Sequence, residues 1–338
     1  MKEAMLYEKL EDGSVRCALC AHRCHINSGK RGICGVRENR EGTLYSLVYG
    51  QAISAAVDPI EKKPLYHYLP GTQAFSIATV GCNFRCDFCQ NADISQASKE
   101  RSGWEGWARP LSPEMIVDLA QQRRCASIAY TYTEPTVFFE YAYDTAVLAT
   151  PRGIKNIFVT NGYMTPEALD TIGKDLHAAN VDLKSFRDEF YRRLCGGRLQ
   201  PVLDSIQKMH QDGVWVEVTT LLIPGENDRD EELQDIARFL VGIDPDIPWH
   251  ISRFVPHYRM LDHPLTPVAS IHRAVEIGYQ EGLHYVYAGN VPGDRYEHTR
   301  CPHCDEVVIQ RQGYWTHNRL DGNRCPACGQ ELPFVVEV

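Results

Sequence analysis

Thirteen cysteines fall into three tight groups with two left over, and this grouping constrains the fold more than any other feature of the chain. Cys17, Cys20, Cys24 and Cys34 form the first group. Cys82, Cys86 and Cys89 form the second, and Cys301, Cys304, Cys325 and Cys328 the third, while Cys125 and Cys195 stand alone. Thiols clustered in this way in a reducing compartment read as metal ligands and not as disulfides. The compartment expected is the cytoplasm. Met1-Lys2-Glu3-Ala4 opens into no apolar signal region, and the most apolar run, Val137 to Leu148, is interrupted by Glu140 and Asp144, so neither secretion nor a membrane span is indicated.

The middle group has an odd number of thiols. In Gly81-Cys82-Asn83-Phe84-Arg85-Cys86-Asp87-Phe88-Cys89-Gln90-Asn91 the spacing C-x3-C-x2-C suits three corners of a cubic iron-sulfur cluster and leaves one iron without a protein ligand. An open iron is a place for chemistry. A closed electron-transfer cluster or a structural zinc knuckle needs a fourth ligand nearby.

The outer groups have four thiols each. Cys301-Pro302-His303-Cys304 and Cys325-Pro326-Ala327-Cys328 are paired knuckles with 20 residues between them, which is zinc-ribbon spacing. Arg311, Arg319 and Arg324 are offset there by Asp305, Glu306 and Asp321, so a structural or partner-docking ribbon is expected, with Tyr314 and Trp315 as either base-stacking or hairpin residues. The Cys17 to Cys34 segment, with His22 and His25, is rich in glycine and polar residues. A metal would supply folding energy that such a segment lacks. Zinc is slightly favoured; a second iron-sulfur cluster and bare thiols are the alternatives.

Between the outer groups the pattern alternates. Candidate strands are Phe75 to Val80, Ser127 to Thr131, Asn156 to Thr160, Asn180 to Lys184, Trp215 to Leu222, Trp249 to Phe254 and His284 to Tyr287. Helix starts are marked at Ser112-Pro113-Glu114 and Thr165-Pro166-Glu167, where a capping hydroxyl precedes proline. Repeated strand-helix units imply a parallel sheet with its chemistry at the carboxyl ends of the strands. The stretch from Thr43 to Val57 is expected to supply strands that cover the edge of this sheet. Polar residues recur after successive strands: Thr131 to Pro135, Thr160-Asn161-Gly162, Asp182 to Lys184, and Glu217, Thr219 and Thr220. Together they are expected to line one pocket.

The Gly81 to Asn91 loop, with Phe88 before its third cysteine, resembles the radical S-adenosylmethionine (radical SAM) superfamily. The core is similar to pyruvate formate-lyase activating enzymes. Nearly the whole chain resembles the radical SAM member of the AmmeMemoRadiSam system, through Cys17 to Arg37, Gly81 to Asn91, Ala129 to Pro135, Val181 to Lys184, Trp249 to Pro256, Tyr287 to Asn290 and the terminal cysteine pairs. The resemblance implies an α/β fold: a partial (β/α)6 barrel over residues 61–295, with a cysteine-rich extension over 1–60 and a zinc ribbon over 296–338. It implies a [4Fe-4S] cluster on Cys82, Cys86 and Cys89, with SAM on its open iron. Phe88 would lie near the adenine, Asn91 and Lys184 would contact SAM, Glu134 would accept a hydrogen bond from its amine, and Asp182 would help hold a monovalent cation. Tyr132 and Thr133 stand where the superfamily's Gly-Gly-Glu motif has its glycines.

The activity implied is anaerobic, reductive cleavage of SAM to methionine and a 5'-deoxyadenosyl radical that abstracts hydrogen from an unidentified substrate. Implied partners are an electron donor such as flavodoxin or ferredoxin, and Memo-like and AMMECR1-like proteins. A glycyl-radical activase acting on a protein partner is the alternative within the class. A non-catalytic iron-sulfur and zinc protein that binds RNA is the alternative outside it, but a formal net charge of −9 argues against nucleic acid. Cys195 is read as a loop or core thiol before a hydrogen donor or radical relay.

Overall fold

All seven predicted strands enter one sheet. In the computed structural model, which describes residues 1–337, β1 (Ser54–Pro59), β2 (Gln73–Ala78), β3 (Ser127–Tyr130), β4 (Lys155–Thr160), β5 (Ala178–Asp182), β6 (Trp215–Leu222), β7 (Trp249–Arg253) and β8 (Val286–Gly289) lie side by side in chain order. Strands β2 to β8 are parallel, and β1 runs antiparallel to β2. The longest helices connecting the parallel strands are α1 (Pro113–Gln122), α2 (Phe139–Ala149), α3 (Pro166–Ile172), α4 (Gln200–Gln211), α5 (Asp230–Ile243) and α6 (Val268–Gln280). The sheet thus has one parallel strand more than six repeats provide, and among the described residues its edge strands β1 and β8 are not paired with each other.

Local chemistry explains the elements. Ser127 to Tyr130 is buried at every position, as expected for a parallel strand covered on both faces. The Ser112 and Thr165 hydroxyls accept from the backbone N–H of Met115 at 3.3 Å and of Ala168 at 3.2 Å, each with proline opening the helix.

The N-terminal region shares the core of this sheet. Its two small antiparallel sheets pair Lys2–Glu3, Thr43–Ser46 and Arg37–Arg40, and Tyr7–Lys9, Val15–Cys17 and His25–Ile26. Val15, Val36 and Leu44 pack in one cluster with Phe75 and Tyr130. Arg37 crosses to α2, where it forms a fully buried ion pair with Glu140 at 2.8 Å. Of the stretch expected to cover the sheet edge, Ser54–Pro59 does so as β1, whereas Thr43–Ser46 belongs to an N-terminal sheet.

The C-terminal ribbon pairs Thr299–Arg300, Val307–Gln312 and Trp315–Asn318 over a small core of Val308, Ile309, Leu332 and Phe334. It docks on the connector between β1 and β2. His67 stacks on Phe334 with ring centroids 4.1 Å apart, and Val335 donates to the His67 carbonyl at 3.0 Å. Arg311, read from the sequence as one of the offset ribbon charges, is buried: its guanidinium lies 4.0 Å from the Tyr66 ring centroid and donates to the Tyr66 carbonyl at 2.8 Å. Tyr314 and Trp315 are exposed.

Candidate active site

The loop that carries Cys82, Cys86 and Cys89 follows β2. Gly81 opens it at φ 106°, where an added Cβ would lie 2.7 Å from Val36 Cγ1, so only glycine lets the N-terminal region approach so closely. Opposite, the loop is clamped to Leu194 and Cys195: the Arg85 N–H donates to the Cys195 carbonyl at 2.8 Å and the Asp87 N–H to that of Leu194 at 3.0 Å. Gly197 completes the clamp, because a Cβ there would sit 2.4 Å from the Phe84 ring.

Hydrogen-bond donors already point at the cysteine sulfurs. The Phe84 N–H lies 3.3 Å from Cys82 Sγ, the Asn161 amide 3.8 Å from the same sulfur, and Ser95 Oγ 3.2 Å from Cys89 Sγ. Cys86 is buried with its thiol against that of Cys195, and this contact together with burial pushes the Cys86 thiol pKa well up. Cys195 is therefore adjacent to the loop, fully buried.

The parallel register brings the next three strand ends to the same edge. After β3, Tyr132 takes φ 64° where the superfamily motif has glycine, a conformation that costs a side-chain-bearing residue roughly 1–2 kcal/mol. Its hydroxyl is bonded to Asp58, Lys63 Nζ lies 4.5 Å from its ring centroid, and its carbonyl accepts from Asn91 Nδ2 at 2.8 Å. After β5, Lys184 pairs with Asp182 at 2.8 Å and lies 5.8 Å from the Phe88 ring centroid. Burial opposes the Lys184 charge, yet Asp182 and the thiols of Cys86 and Cys195 hold its pKa well above the usual lysine range. Phe88, Asn91, Asp182 and Lys184 thus gather around the cysteine loop.

Glu134 lies beside the end of β4, close to the cysteine loop. It is 1% exposed, and its carboxylate accepts from the Thr136 N–H at 3.0 Å, the Thr136 hydroxyl at 2.5 Å, the Thr160 hydroxyl at 2.7 Å and the Asn161 N–H at 2.8 Å. Three of these donors fall on Oε1 and one on Oε2, so Oε2 keeps an acceptor site for a further donor. Burial raises its pKa, while the same donors pull the other way. Glu134 is a positioning residue that fixes Asn161. Asn161, read from the sequence only as one of several polar residues after successive strands, lies directly at the cysteine loop.

Glu217, by contrast, lies away from this edge. Its carboxylate accepts from the Tyr66 and His67 N–H groups at 2.9 and 2.8 Å and meets His250 at 2.6 Å, near the start of β6. It anchors the connector, and is not part of a pocket at the carboxyl ends. The Thr219 and Thr220 hydroxyls are likewise occupied, by Asn180 and the Leu183 carbonyl.

The outer cysteine groups differ from each other. The sulfurs of Cys301, Cys304, Cys325 and Cys328 all lie within 4.8 Å of one another, with 3.7 Å between Cys301 and Cys328 and 3.6 Å between Cys304 and Cys325. Four sulfurs about 2.3 Å from one tetrahedral zinc would be about 3.8 Å apart, so this donor set fits zinc. Among the described residues it is the one group converged to single-ion distances. Cys17, Cys20, Cys24 and Cys34 line one pocket without being brought to such distances.

Residues 76–240 match the family model described as the radical SAM superfamily. The chain belongs to the radical SAM superfamily. Members are generally enzymes, and this family's fold implies a [4Fe-4S] cluster and SAM. The radical SAM domain thus covers β2 to α5 and most of the residues described above. An uncharacterised protein of Methanocaldococcus jannaschii is 43% identical over 340 residues, spanning 99% of this chain and 100% of its own. A second protein of that organism, named as a candidate glycyl-radical enzyme activating enzyme, is 27% identical over 217 residues, spanning 63% of this chain and 80% of its own. The crystal structure of Streptococcus suis SuiB bound to precursor peptide SuiA aligns with a TM-score of 0.51 at 13% identity, over 69% of this chain and 52% of SuiB, a likeness of fold alone. No described helix is long and apolar enough to cross a membrane.

Proposed function

We propose that the chain is a radical SAM enzyme in which Cys82, Cys86 and Cys89 hold three irons of a [4Fe-4S] cluster and the fourth is left for SAM. The observation that carries this reading is the meeting, at one edge of the sheet, of a three-thiol loop after β2 with the Asp182–Lys184 pair after β5. The donor set fits the group, because N–H and O–H donors already aimed at Cys82 and Cys89 stabilise ligated sulfur. Bound there, the cluster and SAM supply reductive cleavage to methionine and a 5'-deoxyadenosyl radical that takes hydrogen from a substrate.

The chain's own residues orient and enclose this chemistry. Lys184, kept charged by Asp182, is the cation for the carboxylate of SAM. The apolar ring of Phe88 beside Lys184 excludes water, and Asn91, tied to the Tyr132 carbonyl, closes the loop onto β3. Asp182 is 38% exposed and offers an oxygen to a monovalent cation. Glu134 and Asn161 hold the Cys82 end of the loop.

Electrons come from a donor such as flavodoxin or ferredoxin, and zinc occupies the C-terminal ribbon. Within the superfamily we place the chain with the AmmeMemoRadiSam member, in the cytoplasm, with Memo-like and AMMECR1-like partners. The likeness to the candidate activating enzyme supports a second reading, installation of a glycyl radical on a partner protein. Formation of 5'-deoxyadenosine from SAM by reduced, reconstituted protein tests the first reading; an EPR doublet on a co-incubated partner protein tests the second.

A further inference from the structure

We infer that Cys17, Cys20, Cys24 and Cys34 hold a second iron-sulfur cluster, a closed one with four thiolate ligands. The four cysteines line a single pocket together with apolar Leu19, Ile26, Ile33 and Val137. Their sulfurs are not drawn to the single-ion distances of the C-terminal group. Ligands to separate irons of a cube lie further apart than ligands to one ion, and four cysteines close such a cube.

The second observation is independent of the thiols. Arg37 and Asn83 also line this pocket, and each carries a buried N–H with no partner among the described residues: Arg37 Nε and Asn83 Nδ2. Both residues are at most 2% exposed. The rest of the Arg37 guanidinium is committed, to Glu140 at 2.8 Å and to the Met5 carbonyl at 2.8 Å. Orphaned buried donors are costly and uncommon in native proteins. Sulfides and thiolates of a cluster accept N–H hydrogen bonds, and a nearby guanidinium offsets the negative charge of a four-thiolate cluster.

The pocket is joined to the first cysteine loop. His22 Nε2 donates to the Asn83 carbonyl at 2.9 Å, and Asn83 Oδ1 accepts from Asn161 at 2.7 Å, next to Cys82. Asn83 is thus shared between the two cysteine sites.

Anaerobic reconstitution of the full chain should give about eight irons per chain, and a Cys82→Ala, Cys86→Ala, Cys89→Ala variant should keep about four. An iron-free variant overturns the proposal, whether its extra metal is zinc or none. Should that variant fail to fold, EPR of the reduced unmodified protein decides instead. Two signals, only one of which changes on adding SAM, support a second cluster; a single signal wholly shifted by SAM overturns it. Failure here is distinct from failure of the proposed activity: the former leaves a protein with one cluster that still cleaves SAM, the latter a protein that assembles clusters without cleaving it.

Discussion

Asn161 donates from its side-chain amide to Oδ1 of Asn83 at 2.7 Å, with the same amide 3.8 Å from Cys82 Sγ. The backbone N–H of Asn161 is in turn held by the buried carboxylate of Glu134. The end of β4 therefore sets the position of Cys82. Asn161→Ala should keep iron content but slow SAM cleavage by about tenfold to a hundredfold, the usual range for losing a group that orients a ligand. Iron per chain, the cluster potential and the rate of 5'-deoxyadenosine formation check this. An unchanged potential and rate would remove Asn161 from the site.

Lys184 is paired with Asp182 at 2.8 Å beside Phe88. As the cation for SAM's carboxylate, it should contribute a charge-assisted hydrogen bond of about 1.5–3 kcal/mol. Titration calorimetry of reconstituted Lys184→Met should show SAM binding weakened about tenfold or more. Wild-type affinity in this variant would place Lys184 outside the SAM site.

The fold and the three-thiol loop were legible because each is written locally. All seven parallel strands could be read from short apolar, β-prone runs, and Ser112 and Thr165 announced two helix starts. The roles of Glu134 and Glu217 were not legible. Both stand on or beside parallel strands, and only the tertiary structure shows that Thr136, Thr160 and Asn161 bond to one while the Tyr66–His67 backbone and His250 occupy the other. The burial of Arg311 was not legible for the same reason, since its bond to Tyr66 spans 245 residues. Likewise, spacing does not distinguish sulfurs that converge on one ion from sulfurs that do not, and this is what separates the two outer cysteine groups.

Arg37 and Glu140 form a buried pair that ties the N-terminal region to α2. Removing one partner of such a pair leaves a buried charge uncompensated, at a cost of about 3–5 kcal/mol. Glu140→Gln should therefore lower the denaturant midpoint by a corresponding amount, measured by circular dichroism. A midpoint within error of wild type would show that the pair does not hold the region in place.

His67 is buried between Phe334 and Tyr285, with its ring nitrogens bonded to the Pro333 carbonyl and the Tyr287 hydroxyl. Burial lowers its pKa from 6.5 to about 4. Above pH 6.5 both folded and unfolded forms are neutral there, and the contribution to stability is fully present. Between pH 6.5 and about 4 the unfolded chain binds the proton first, so stability falls as the pH falls. Denaturant curves across this window should show a steeper loss for wild type than for His67→Phe. Parallel pH profiles would contradict the assignment.

In the proposed function, Cys82, Cys86 and Cys89 hold a cluster whose open iron takes SAM. The most direct measurement is single-turnover incubation of reduced, anaerobically reconstituted protein with SAM, with methionine and 5'-deoxyadenosine quantified in parallel. Equal amounts of the two products should form, and neither should form with Cys86→Ala. A wild-type protein with its cluster assembled and reduced that leaves SAM intact would contradict the claim.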